Sequence, residues 1–339
     1  MKKLTILAAA LFATSAAYAQ APTNLGHRTL AAPTGPAAPR GTNPSPNTAG
    51  AGAGTYSSSP SAYSQDSYVS QSNNSNVAFV DQVDSRSTIS SLTGSSAAIV
   101  QTGTYGNGSQ IQSLDGTSSG TGRNVLEATQ AGSHNQFNQT QVGGFNSTGQ
   151  VVQGGNTNNN QATQLQTAGN GNGARITQTT YNVAPVVASA GNIATQDQRG
   201  TGQSALIQQQ GNHGAASQVQ TGASNAASIN QGSYGAHNSA TQTQSGSNNK
   251  ALSSQSVNYP QAHFDSNTSI QTQSGTDNSA DINQRGNHGY AEQLQSGGGM
   301  GVGNISKIEQ GRDLTTSNVS SAAYTVQTGM SNSVAIYQH

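Results

Sequence analysis

The chain has 339 residues, of which 31% are hydrophobic and 7% charged; 12 basic residues balance 12 acidic ones, and cysteine and tryptophan are absent. That composition excludes a large aliphatic core, a disulfide framework and the one-sided charge of a nucleic-acid or anionic-membrane binder. Gly, Ser, Asn, Gln and Thr dominate instead, and neutral amide-rich chains of this kind pair as β-structure.

The first element in chain order is "MKKLTILAAALFATSAAYAQ", with Lys2 and Lys3, an apolar run from Leu4 to Ala17, and small residues at Ala17 and Ala19. This pattern predicts a secretory signal peptide over residues 1–19, cut before Gln20. The apolar run falls short of the ~20 residues that span a bilayer, so no membrane span is expected once it is removed. Without Lys2 and Lys3 the mature chain holds 10 basic against 12 acidic residues, a net charge of −2. Residues 20–75 are rich in Pro, Gly, Ala and Ser, as in "AAPTGPAAPRGTNPSPNTAGAGAG", and predict a flexible, disordered tether. Seven of the nine prolines lie there, and the other two, Pro185 and Pro260, fall in inserted loops. Proline is thus kept out of the periodic part, where it could not donate to a β-ladder.

From "NVAFVDQ" (Asn76 to Gln82) onward, glutamine recurs at twenty nodes, and nine of the nineteen intervals between them are 11 residues. The unit is an 11-residue arm with corners that tolerate insertions. Counting back from a node by twos gives one face, as in Gln231, Ile229, Ala227 and Asn225, or Gln284, Ile282, Ala280 and Asn278, or Gln338, Ile336, Val334 and Asn332. Period two means strand. The charged residues Asp81, Glu127, Arg175, Asp197, Lys250, Asp281, Glu292, Lys307 and Glu309 all sit an odd number of positions before their node, on the opposite face. The Gly two residues after a node, with Asn or Gly three further on, supplies the positive φ of a tight turn.

Two arms and two turns make a coil of about 22 residues, and twenty nodes make ten coils. The fold expected over residues 76–339 is therefore all-β: a β-solenoid of about ten two-stranded coils stacked in register. One coil buries only a thin strip of Ala, Ile, Val and Ser, so its neighbours must stabilise it. The inward apolar residues are Ile229, Ile282, Ile336, Ala227 and Ala280. The candidate ladder that joins coil to coil, and chain to chain on polymerisation, is Gln198, Gln209, Gln220, Gln231, Gln244, Gln255, Gln273, Gln284, Gln327 and Gln338 with Asn225, Asn249, Asn278 and Asn332. Such buried amides are tolerable only when a ladder satisfies them. The repeat ends at His339 without a polar, Pro-bearing or helical cap, and an uncapped edge templates another chain.

The word Ser-x5-Gln-x-Gly-x-x-Asn-x-Ala-x3-Gln is similar to the curlin repeat of bacterial curli fibre subunits. "SAAYTVQTGMSNSVAIYQH" (Ser321 to His339) carries it, with Val334 in place of Ala. The resemblance covers residues 76–339, about three quarters of the chain. It implies a major-subunit-like functional amyloid of the biofilm matrix, exported unfolded, with a nucleator subunit and an outer-membrane secretion pore as partners, and a place outside the cell as a surface fibre. The chain departs from the family in its many coils and its long Pro-rich tether.

Chemistry is scarce. His134, His213 and His288 share one position, four residues after a node, but intervening coils lack His there, so no metal cluster is expected. "GGGMGVGN" (Gly297 to Asn304) reads as a stretched corner, lacking the Lys-Ser pair and helix of a phosphate loop. The calcium-roll word Gly-Gly-x-Gly-x-Asp is absent. A nucleophile, base and orienting acid need a water-excluding pocket, which a thin solenoid does not provide. No enzyme, catalytic residue or cofactor is expected. The competing function is a secreted solenoid that binds without polymerising, an adhesin or an ice-binding protein. The outward row Ile111, Thr140, Leu165, Asp197, Val219, Thr243, Thr272, Leu294 and Val326 is mildly apolar and too irregular for a Thr-x-Thr ice face, so it suits lateral bundling or surface adhesion better.

Overall fold

The computed structural model describes residues 65–84, 93–114, 122–154, 157–167, 169–179, 191–232, 237–256, 266–286, 288–299, 302–311 and 321–338. All of these belong to one compact unit, Thr55–His339, and the other unit, Met1–Gly54, lies outside them. The signal peptide expected over residues 1–19, most of the stretch expected as a tether, and the segments with Pro185 and Pro260 likewise lie outside the described residues. Among the described residues every regular element is a strand, and no helix is long and apolar enough to cross a membrane.

The strands are β1 (Gln65–Gln71), β2 (Val77–Asp84), β3 (Thr93–Gln101), β4 (Asn107–Leu114), β5 (Gly122–Gln130), β6 (Gln136–Val142) and β7 (Thr148–Gly154). Then come β8 (Gln161–Thr167), β9 (Gly173–Thr179), β10 (Ile193–Thr201), β11 (Ser204–Gln209), β12 (Ala215–Ala223), β13 (Ala226–Gln231) and β14 (Ser239–Ser247). The last are β15 (Lys250–Ser256), β16 (Thr268–Thr276), β17 (Ser279–Arg285), β18 (Tyr290–Gly297), β19 (Ile305–Gln310), β20 (Ala322–Thr328) and β21 (Ser333–Gln338). Odd-numbered strands form one 11-stranded sheet and even-numbered strands a second, 10-stranded sheet, each in sequence order. Every neighbouring pair is parallel and in register, as in Ile207↔Ile229 and Gln198↔Gln220. Each strand passes to the opposite sheet and returns one rung higher, which is a β-solenoid. One coil takes 22 residues from Gln198 to Gln220 and 32 from Gln166 to Gln198, where a loop is inserted.

Nine strands of the first sheet and eight of the second are paired on both edges, which makes about eight flanked turns. The ten coils expected from the node count are slightly too many, because that count includes nodes on β2, β20 and β21, each paired on one edge only. The repeat also starts earlier than Asn76. Strand β1 lies inside the stretch assigned to the tether and pairs with β3 from Gln65↔Ser95 to Gln71↔Gln101.

Alternation governs burial. In β12 the inward Ala216, Gln218 and Gln220 are buried, while Ala215, Ser217, Val219 and Thr221 between them are not. All nine charged residues assigned to the outer face are half-buried or exposed. The inner face of the first sheet carries a column running Ile99, Ala128, Val151, Ile176, Ile207, Ile229, Ser253, Ile282, Ile308 and Ile336. Serine interrupts it once, and there the Ser253 and Ser269 hydroxyls face each other across the two sheets at 2.6 Å, dividing the apolar interior into two clusters. Phe137 fits because its neighbour Gly108 is bare: a Cβ there would lie 2.2 Å from the Phe137 ring.

Candidate functional site

Three glutamine columns run through the interior. In the first sheet Gln71, Gln101, Gln130, Gln153, Gln178, Gln209, Gln231, Gln255, Gln284, Gln310 and Gln338 are joined Nε2 to Oε1 by bonds of 2.6–3.0 Å. In the second, Gln82, Gln112, Gln141, Gln166, Gln198, Gln220, Gln244, Gln273, Gln295 and Gln327 are joined in the same way at 2.6–3.0 Å. The ladder glutamines expected from sequence therefore divide between two columns, one on each sheet. Each Nε2 has two N–H bonds, and from Gln141 onward the second goes across the interior to a backbone carbonyl. Gln220 donates to Ser204 O at 3.0 Å, and Gln231 to Ala215 O at 3.0 Å and Asn238 O at 3.1 Å. The amides thus tie rung to rung and sheet to sheet at once, which is how a fully buried Gln220 escapes the usual cost of an unpaired polar group.

The third column was not anticipated. Gln110, Gln139, Gln164, Gln196, Gln218, Gln242, Gln271 and Gln293 form a further ladder in the second sheet, with bonds of 2.7–3.0 Å. Its signal was present as the triplets Gln-Ile-Gln at 110–112, Gln-Leu-Gln at 164–166 and Gln-Val-Gln at 218–220, against Ile-x-Gln in arms of the first sheet. The ladder ends where Gln293 Nε2 meets Ser306 Oγ at 3.0 Å, and Ser306 in turn meets Thr325.

Asparagines clamp the corners. The Oδ1 of Asn225, Asn249, Asn278 and Asn304 accepts the backbone N–H of Asn249, Asn278, Asn304 and Asn332 in turn, each at 3.0 or 3.1 Å. The Nδ2 of Asn225 reaches back to Thr221 O and forward to Gly246 O. Positive φ falls at Gly222, Gly246, Gly275, Gly297 and Gly329, as expected, but the second such residue precedes the Asn: Ser224, Asn248, Asp277 and Ser331, at 55–60°. The Asn keeps an ordinary backbone because its side chain is committed to the next rung. "GGGMGVGN" is a stretched corner between β18 and β19, bridged at Gly299 and Val302.

Of the inward apolar residues, Ile229, Ile282, Ala227 and Ala280 are buried, and Ile336, on the last rung, is partly covered. The outward row from Ile111 to Val326 is one continuous register on the second sheet. Charges there and on the first sheet pair locally: Arg199 with Asp197 at 2.7 Å and Lys307 with Glu309 at 3.2 Å, with Lys307 also 5.4 Å from the Tyr337 ring centre. Burial raises the Asp281 carboxyl above its ordinary range, opposed by the Lys307 charge. Burial and a 2.5 Å hydrogen bond to Glu292 raise the Tyr290 phenol.

The histidines depart from expectation. His134, His213 and His288 do take the positive-φ corner position, but so does His237, which stands six residues after its node Gln231 rather than four. His237 N–H donates to Asn212 O at 2.9 Å, which puts its ring on that of His213 with centres 5.1 Å apart and planes at 7°. Two histidines are therefore adjacent where none were expected to be. Tyr105 and His134 stack likewise, at 4.9 Å and 14°. Among the described residues no group of three or more His, Asp or Glu is placed to hold a metal ion. Comparison with protein-family models and with curated proteins gives no match to this chain.

Proposed function

We propose that the chain is a secreted structural subunit that self-assembles into extracellular, curli-like amyloid fibres of a biofilm matrix and serves surface adhesion. The observation that carries this reading is the equivalence of the rungs. Every coil offers the next one its node Gln bonds in the same register, and most corners from Asn225 onward add an Asn bond, so a coil of a second copy satisfies an edge much as the chain's own coil does. Edge strand β21 keeps its inward residues only half-buried, and nothing but Asn332 Nδ2 approaches the open face of Gly329. Strand β20 leaves Tyr324 and Val326 more than half exposed on the outer face. The family resemblance of the repeated word adds the nucleator and the secretion pore as partners.

The test is seeded assembly of the chain lacking residues 1–19, diluted from denaturant to on the order of tens of micromolar, where unpaired strand edges associate. Fibres should form without added metal or partner, and preformed fibres should abolish the lag. A folded monomer that persists for days, unresponsive to seeds, would support the non-polymerising binding solenoid instead.

A further inference from the structure

The geometry points to a transition-metal site at the corner between β11 and β12 and the corner above it, with His213 and His237 as its two protein ligands. Imidazole suits Zn2+, Cu2+ and Ni2+, and does not suit the oxygen-seeking Ca2+ or Mg2+. Both rings are exposed and stand on consecutive rungs, so the stacking of the solenoid itself sets their separation at 5.1 Å. A metal–nitrogen bond of about 2.0–2.1 Å places two nitrogens of one tetrahedral ion about 3.4 Å apart with their lone pairs converging, so the two exposed rings must tilt out of their near-parallel stack, each by roughly 35°, to close on the ion. The rung below leaves room for that tilt, because it carries Gly191, whose absent Cβ would lie 3.0 Å from His213 Cδ2. Asn159 and Ser266 occupy equivalent corners elsewhere, so the fold does not require histidine at this position. Water, or a group from another chain, completes the coordination shell. The site is independent of whether the chain polymerises, since both ligands come from one chain.

The test uses the full chain, with Cu2+ followed by electron paramagnetic resonance and Zn2+ by calorimetric titration. One ion per chain with two-nitrogen coordination is expected. His213→Asn and His237→Asn should each weaken binding about tenfold or more, at least the loss usual for disturbing a metal's supporting shell. Asparagine is chosen because Asn159 and Asn248 already hold this corner conformation, with φ of 56° in each, so circular dichroism should not change. His288→Asn, which removes an unstacked histidine, should leave the affinity unchanged. Equal binding by parent and His213→Asn, an equal loss in His288→Asn, or no bound ion would overturn the assignment.

Discussion

At the scale of the residue, the solenoid depends on side chains that are absent as much as on those present. A Cβ on Gly246 would stand 2.0 Å from Gly275 O, and the residue sits at φ +101°, whereas Gly171, at φ +72°, has nothing within 4 Å. Gly171→Ala should cost about 1–2 kcal/mol, the strain of a left-handed L-residue alone. Gly246→Ala should cost clearly more, because the neighbouring rung must move; denaturation midpoints of the two variants measure the difference. Gln220→Leu keeps the volume but strands a Gln198 N–H and the Gln244 Oε1 in a dry interior and removes the cross-interior bond to Ser204 O. At about 1–3 kcal/mol for each buried group left unpaired, it should be among the most damaging single changes in the middle of the solenoid. The glutamines and the first glycine of each corner were legible because they repeat. The second positive-φ residue was not, since Ser224, Asn248, Asp277 and His288 share a backbone shape and no side-chain chemistry.

At the scale of the element, alternation was the firmest signal. Ile229 is fully buried between Ile207 and Ser253, while Asn230 beside it faces solvent between Gln208 and Ser254. Ile229→Asp should therefore cost several kcal/mol and slow assembly sharply, and Asn230→Asp should behave like the parent; equal assembly rates would contradict the register. A further consequence concerns pH. Because the fold raises the Asp281 carboxyl, its favourable contribution is present below the unfolded value and lost as pH rises through the folded one. Asp281→Asn should thus be more stable than the parent at neutral pH, with the advantage vanishing in acid below the carboxylate range, as thermal melts at the two conditions would record. Strand β1 escaped notice because its node, Gln71, is followed by Ser-Asn-Asn-Ser-Asn without the usual glycine, Asn73 taking the positive φ of 70° instead. The third glutamine column is hidden when an arm is reduced to its single node, although eight of the ten second-sheet arms read Gln-x-Gln at the node and no first-sheet arm does.

At the scale of the whole molecule, stability is a sum of neighbour interactions, since each coil touches only the coils above and below it. Histidine adjacency belongs to this scale as well: His213 and His237 meet only because corners of different length return to the same rung line, which counting residues from a node does not reveal. Deleting residues 20–64 leaves the 21 strands of the described residues in place, so the shortened chain should still assemble; continuing the deletion to Ser75 removes β1 and opens the edge of β3. The central claim is that the bonds joining coils within one chain also join one chain to the next. X-ray diffraction from aligned fibres of the chain lacking residues 1–19 tests it most directly. The account predicts a meridional reflection near ~4.7 Å from rungs continuing through the chain junctions, with an equatorial one near ~10 Å from the facing sheets. Fibres whose strands lie along the axis, without the meridional spacing, would contradict it.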